Sequence, residues 1–478
     1  MTVSHEAPVY GSYIDGKWRA GSSIFPVLDK YTGEEYANIT IATKQDVYDA
    51  VTNAWETFHK VKLSSQERYE ILMNAVEIFR RRKEEFASII VCEGGKVLKD
   101  AYAEVERGIQ TFIASAEEAK RISGSGVPLG QYGNEGKFAF TIRVPVGVIG
   151  AITPFNFPFN LVAHKVGPAL AAGNTIVLKP AELTPITSCR MVEVLTEAGL
   201  PHGFLNVVNG TGLETGQYLL GDERIAMYTF TGSPSVGRAI KSQTGIRKVT
   251  LELGNNSPNI VCRDVQDLNR AVRLCVTRGF SNAGQACISV QRIYVHRDIM
   301  DQFIENAIYI AKTLKVGNPK NIETDVGPMI SEEAAKRVED WIKEAVDGGA
   351  VVVFGGQRDG SVFYPTILTH VLPNMKVVCE EIFAPVISII PFDDIDEAFK
   401  AANATRYGLQ VGLFTSNLQL AFRATQELQF GGIIINDVST FRTDVMPYGG
   451  IKDSGVGKEG PHYAIQEMTD EKIVVLQY

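Results

Sequence analysis

From residue 146 to residue 252 the chain alternates apolar, strand-like runs with helical segments, and this alternation restricts the fold more than any other feature. The runs fall at 146–152, 175–179, 204–208, 226–230 and 248–253. Helical stretches lie at 185–198, closed by Gly199 and Pro201, then at 213–220 and 234–242. Parallel strands need long crossovers between them, and this spacing supplies them, with the right hand expected of such connections. A second alternation follows. A helix at 268–280 leads to a strand at 292–296 and a helix at 299–313, with further strands near 351–354, 386–391, 412–414 and 433–436. The predicted fold class is α/β, with two parallel-sheet domains. Two polar β-like runs, 137–143 and 472–477, fit neither sheet and point to a small β arm exchanged between subunits. The expected division is 1–123 with 144–253 as one domain, 254–445 as the other, and 124–143 with 460–478 as the arm.

Composition narrows the function classes. The 478 residues carry 47 Lys and Arg against 55 Asp and Glu, a net charge of −8. That balance argues against nucleic acid or an anionic membrane as partner, since both need a basic face. Residues 144–163 carry no formal charge and match the length of a spanning helix. Pro145, Pro154 and Pro158 would break the backbone ladder that lipid demands. The stretch reads instead as a buried strand, 146–153, followed by an irregular polar turn. The opening MTVSHEAPVY has neither a basic stretch nor an apolar core, so no secretory signal is expected. Six scattered cysteines, with no C-x-x-C pair and no histidine cluster nearby, predict no metal site and a reducing, cytoplasmic setting. Ser64 and Glu67 have capping-box spacing, and Ile71, Ala75, Ile78 and Phe79 form an apolar stripe behind them.

Three segments bear on a nucleotide. NGTGLETG, residues 209–216 with Gly212 at its centre, is one residue longer than the dinucleotide fingerprint. FTGSP ends a predicted strand and puts Ser233 at a helix N-terminus with Pro234 in the first turn, a setting that favours an anion. An ordinary strand-to-helix turn would look the same. Lys179 and Glu182 lie just past a strand's C-terminal end, where open α/β sheets bind ligands. They suit ribose hydroxyls, and the acid would repel a 2′-phosphate, favouring NAD with NADP as the alternative. A surface salt bridge is the plainer reading.

Three residues carry candidate chemistry. Cys287 sits in FSNAGQACIS, a loop of small residues after a helix, where a thiol stays approachable; a reactive cysteine needs an accessible, low-pKa setting. Glu252, at an apolar strand end, would have its pKa raised by burial towards that of a general base. Asn156, between two phenylalanines, offers an amide donor for an oxyanion. Core packing, a buried ion pair and turn-making are the respective structural alternatives.

In order and spacing, TPFNFP, LKPAE, FTGS, LELG, GQAC, EEIFAPV and PYGGIKDSG together resemble the aldehyde dehydrogenase superfamily over essentially the whole chain. The resemblance implies two Rossmann-like domains, the first binding NAD(P) and the second catalytic, with a β arm that makes a homodimer or homotetramer. It implies oxidation of an aldehyde to a carboxylic acid through a thiohemiacetal and thioester on Cys287. Asn156 and the Cys287 backbone N–H would hold the oxyanion, and Glu252 would activate the hydrolytic water. Lys179 and Glu381 would hold the riboses, with Glu182 beside them. Ser233 would hold a pyrophosphate oxygen, Gly212 would line the cofactor groove, and Phe383 would pack at the nicotinamide. Two departures stand out. Asn255 and Asn256 follow LELG where glycine and often lysine are usual, Asn255 being tolerable at positive φ. Phe155 replaces a frequent tryptophan. Arg107, Asn160, His164 and Arg442 are expected at the aldehyde tunnel, favouring a small polar aldehyde with a hydroxyl, phosphate, sulfonate or carboxylate, as in lactaldehyde- or glyceraldehyde-phosphate-type members. A CoA-acylating enzyme and an inactive scaffold on the same fold are the alternatives.

Overall fold

The computed structural model describes residues 7–478, so Met1–Glu6 of the stretch read as lacking a secretory signal lie outside the described residues. Two parallel sheets organise the chain. In the first, Lys248–Glu252, Ile225–Thr231, Val148–Ile152, Thr175–Lys179 and Leu205–Val207 run side by side in parallel. Antiparallel pieces flank them: Gly455–Val456 on one edge, Ser12–Ile14 and Lys17–Arg19 on the other. In register, Ile152 faces Lys179 and Phe230, and Thr231 faces Glu252, so the carboxyl ends of the strands line up.

In the seven-stranded second sheet, Thr366–Thr369, Val386–Phe392, Arg292–His296, Pro258–Val261, Gln410–Phe414 and Gly432–Ile435 run side by side in parallel, the last of them at an edge. The strand Val351–Phe354 closes one edge antiparallel. The segments entering these strands carry Asn255, Cys287 and Glu381. The carboxyl edge of one sheet therefore supplies Asn156, Lys179, Ser233 and Glu252, while the amino edge of the other supplies Cys287, Glu381 and Phe383. A hydrogen bond from Asn156 to the Gln285 carbonyl joins the two sets, and one from Asn255 N to Glu381 ties the segments entering the second sheet to each other.

The Ser64 capping box forms as its spacing predicts, with Ser64 N donating to Glu67 at 2.7 Å and Glu67 N to Ser64 Oγ at 3.2 Å. It opens the helix Ser65–Arg81, which buries Ile71, Leu72, Ala75, Val76, Ile78 and Phe79. A helix with its own capping box, Lys44–Lys60, precedes it. The stretch 144–163 departs from expectation. After the strand and a short turn, Asn160–Ala172 is a helix with every residue buried. A helix covered on all sides shows no amphipathic stripe. It packs on the helix Leu98–Ala119, where Gly108 permits the approach, since a β-carbon there would lie 2.3 Å from the Phe159 ring.

The two polar β runs find each other. Lys137–Pro145 and Thr469–Gln477 pair antiparallel from Lys137 opposite Gln477 to Pro145 opposite Thr469, with Gly126–Val127 beside them. The helix Pro461–Glu467 packs instead on Asn160–Ala172 and Leu98–Ala119. Among the described residues no helix is long and apolar enough to cross a membrane, and no His, Cys, Asp and Glu cluster could hold a metal.

Candidate active site

The turn after Val148–Ile152 is fixed from several directions. The Asn156 carbonyl accepts from Lys96 Nζ at 2.9 Å and Asn282 Nδ2 at 3.3 Å. Lys96 is paired with Glu104, whose other oxygen accepts from Phe159 N and Asn160 N at 2.9 and 3.2 Å. These bonds seat the start of the buried helix against Leu98–Ala119. The Asn156 side chain donates one N–H to the Gln285 carbonyl at 2.9 Å, and its own oxygen is buried without a partner. An amide has two N–H groups, so one remains for a ligand.

Cys287 follows a tight bend in which Asn282 and Ala283 take left-handed conformations, with φ of 51° and 52°. Gly284 lets the bend pass beneath the second sheet, since a β-carbon there would fall 1.9 Å from the Ala384 carbonyl oxygen. The thiol is half-buried and lines a cavity of about 180 Å³ together with Asn160, Arg107, Arg278, Arg442 and Tyr448. Its Sγ lies 2.8 Å from the Tyr448 hydroxyl. The expected low-pKa setting is not met. Burial pushes the thiol up to about 12, against the Tyr448 hydrogen bond and the Arg442 charge, because no cation touches the sulfur directly.

Glu252 ends its strand fully enclosed, with neither carboxylate oxygen hydrogen-bonded. Burial and the nearby Glu459 charge hold its pKa well above the usual carboxylate range, as expected of a candidate base. Glu459 behaves oppositely. Despite burial, Lys165 at 3.1 Å and Arg442 at 3.0 Å keep it at about 2.

On the cofactor side, Lys179 Nζ donates to Pro180 O at 2.7 Å and Gly210 O at 2.8 Å, and lies 3.4 Å from Glu182. Ser233 caps the helix Pro234–Gln243, accepting from Val236 N. Gly212 is exposed, with open space where a side chain would project. Glu381 accepts from Asn255 N at 3.0 Å, and burial raises its pKa to about 7. Phe383 sits edge-on to Phe155, ring centres 5.9 Å apart. Asn255 departs from expectation: its φ is not positive. Its buried amide instead bonds Ser257 Oγ at 2.6 Å and the Gln410 carbonyl at 3.4 Å, so the asparagine is held by its side chain rather than by a turn requirement.

Three of the four tunnel candidates converge on Asp444. Arg107 grips it, Asn160 Nδ2 donates to it at 3.1 Å, and His164 Nε2 lies 2.9 Å away. Arg442 reaches His164 and Glu459. Arg107, Asn160 and Arg442 line the Cys287 cavity; His164 does not, being buried behind Arg442 and Asp444. Asp444, Glu459, Lys165 and Arg278 join the site without a sequence pattern to single them out. Tyr448 lies within PYGGIKDSG, a motif that marks the segment without marking the tyrosine, and Lys165 follows His164 just past the uncharged stretch.

A sequence profile described as the aldehyde dehydrogenase family matches residues 18–474. The chain is 52% identical over 477 residues to a 3-sulfolactaldehyde dehydrogenase from Priestia aryabhattai, covering 100% of both chains. It is 41% identical to a lactaldehyde dehydrogenase from Methanocaldococcus jannaschii, covering 97% of this chain and 99% of that one. Among solved structures, aldehyde dehydrogenase 21 from Physcomitrella patens, in complex with the product succinate, superposes with a TM-score of 0.96 at 39% identity, covering 99% of each chain. Structures similar to this chain carry NADP or NAD.

Proposed function

We propose, from the premise that this chain belongs to the aldehyde dehydrogenase family and oxidises aldehydes with NAD(P), that it acts on a small aldehyde bearing an anionic group. The observation that carries the anion is the cavity itself. Lys96, Arg107, Arg278 and Arg442 all line the space that Cys287 faces. An arginine presents a planar fork suited to carboxylate, phosphate and sulfonate oxygens.

The cofactor-side residues fit a dinucleotide. Gly212 leaves its loop bare, and Ser233 heads a helix whose free amides favour phosphate. The Lys179–Glu182 pair suits ribose hydroxyls and supports NAD over NADP, with Glu381 at the second ribose and Phe383 at the nicotinamide. When bound, the dinucleotide supplies the hydride acceptor. The chain's own residues do the rest. Cys287 attacks the aldehyde carbon as a thiolate, splitting one hard step into two. The free Asn156 N–H and the Cys287 backbone N–H hold the oxygen as it becomes charged. Once the carbon is at the thioester level, Glu252 takes a proton from water, which adds to the carbonyl. The acid departs and Cys287 is restored. The retained Glu252 disfavours the CoA-acylating alternative, and the retention of Cys287, Glu252 and Asn156 together disfavours an inactive scaffold.

The first sheet with its helices serves as the nucleotide-binding domain, 1–123 with 144–253, and 254–445 as the catalytic domain. The arm, 124–143 with 460–478, joins subunits into a homodimer or homotetramer; exposed Phe138, Ile473 and Val475 on its strands support this. Six free cysteines support a cytoplasmic setting.

The test compares kcat/KM for 3-sulfolactaldehyde, glyceraldehyde 3-phosphate and succinic semialdehyde with lactaldehyde and a series of alkyl aldehydes. Anionic substrates are expected to lead, and Arg442→Ala and Arg107→Ala to remove that lead. Turnover that rises with alkyl length and ignores both arginines overturns the reading.

A further inference from the structure

The Tyr448 hydroxyl is 2.8 Å from Cys287 Sγ and has no other hydrogen-bond partner among the described residues. The ring is 2% exposed. Its backbone is clamped by reciprocal bonds with Glu459, Tyr448 N to Glu459 O at 3.1 Å and Glu459 N to Tyr448 O at 2.7 Å. Arg442, anchored on Glu459 at 3.0 Å, places its guanidinium carbon 3.6 Å from the ring centre. A neutral thiol can donate or accept in such a pair, but a thiolate can only accept. Ionisation therefore strengthens the contact, and a cation over the ring makes the phenol a better donor.

We infer that the Tyr448 hydroxyl is the donor that stabilises Cys287 as a thiolate, with Arg442 reinforcing it through the ring. The inference rests on the reading of Cys287 as nucleophile. Other charged groups face the sulfur or its cavity. Glu252 and Glu381 oppose its ionisation, while Lys96, Arg107 and Arg278 stand in the cavity wall together with the acids Asp100 and Glu104. Tyr448 makes the direct contact with the sulfur. No proton moves through the tyrosine, whose own pKa burial keeps well above normal. When the C–S bond forms, the sulfur gives up its negative charge and the hydrogen bond weakens. When the thioester is hydrolysed, the sulfur departs as an anion and regains the bond. Tyr448 thus favours the same atom as attacking and as leaving group.

The test is the pH dependence of iodoacetamide alkylation at Cys287, read by mass spectrometry on the intact protein with Cys287→Ala as blank. Tyr448→Phe is expected to raise the midpoint by about one pH unit and to slow alkylation below it about tenfold, at an unchanged melting temperature. Site-specific 3-fluorotyrosine at position 448, a more acidic phenol, is expected to lower the midpoint. Equal midpoints in wild type and Tyr448→Phe, or a slowing that persists above both midpoints, overturns the inference. Alkylation needs no aldehyde turnover. Persistence of aldehyde oxidation in Cys287→Ala would sink the nucleophile reading separately, with the midpoint shift still readable.

Discussion

Arg107 holds Asp444 with both faces of its fork, Nε to Oδ2 at 3.1 Å and Nη2 to Oδ1 at 2.8 Å. The same carboxylate takes Asn160 and faces His164. Asp444 therefore ties the helix Leu98–Ala119, the helix Asn160–Ala172 and the loop before Tyr448 into one wall of the cavity. Under the proposed function, a substrate anion would meet an Arg107 whose orientation is already set, which lowers the ordering cost of binding it.

Asp444→Asn is expected to destabilise the protein by about 2 kcal/mol at pH 7, a buried-pair loss discounted because Arg107 is a third exposed. Burial opposes the Asp444 charge, but the His164 hydrogen bond and the Arg107 charge hold its pKa far below the usual value. A depressed folded pKa contributes stability above the unfolded value, lost as pH falls through the folded one. The gap in melting temperature between wild type and variant should therefore narrow below about pH 4. A gap of constant size from pH 7 to pH 3 contradicts this.

Glu252→Gln should separate the two half-reactions. Its steady-state turnover is expected to fall by about 10²–10⁴-fold, with the first burst of NADH retained in stopped flow. Because the carboxyl's pKa lies well above normal, wild-type deacylation should rise with pH through a midpoint above the ordinary carboxylate range. The Gln variant should lack that rise. Loss of the burst itself would place Glu252 in the first step instead.

Gly254→Ala probes the cofactor side. A β-carbon at this position would lie 2.4 Å from Glu381 Oε2, in the space the carboxylate occupies. Displacing Glu381 is expected to raise the KM for NAD about tenfold, roughly the loss of one hydrogen bond to a charged group, and to leave the KM for aldehyde near wild type. An unchanged KM for NAD, measured at saturating aldehyde, refutes the placement.

Glu182→Ala removes the carboxylate beside Lys179. The ratio of kcat/KM for NADP to that for NAD is expected to rise at least about tenfold, since a repulsion of this kind is worth more than 1.4 kcal/mol at close range. An unmoved ratio means that Glu182 does not face the ribose.

Much of this was legible in the residues. The strand Thr175–Lys179 ends where its apolar run ends, and Ser64 caps the helix its spacing announced. Cys287, Glu252 and Asn156 each lie in a short motif, so local order alone marks them. The helix Asn160–Ala172 escaped because a helix buried on every side has no exposed polar face to give a period, and the prolines before it read as a turn. The contact between Cys287 and Tyr448 spans 161 positions and is a product of tertiary packing. The same holds for Asp444, whose partners come from three separate segments. The Asn255 turn was misjudged because a sequence position shows which φ a residue tolerates, not which bonds its side chain will make.

The strand Thr469–Gln477 pairs on one side only, its other edge open among the described residues. Along this nine-residue strand the amide and carbonyl groups of alternate residues face that open edge, a template for further strand addition and a hazard that proteins blunt with charge. Here Asp470, Glu471 and Lys472 guard the first half, while Ile473, Val475 and Leu476 leave the second half adhesive. A chain whose rim stays uncovered would therefore be the species most prone to precipitate, starting from this edge rather than from the interior.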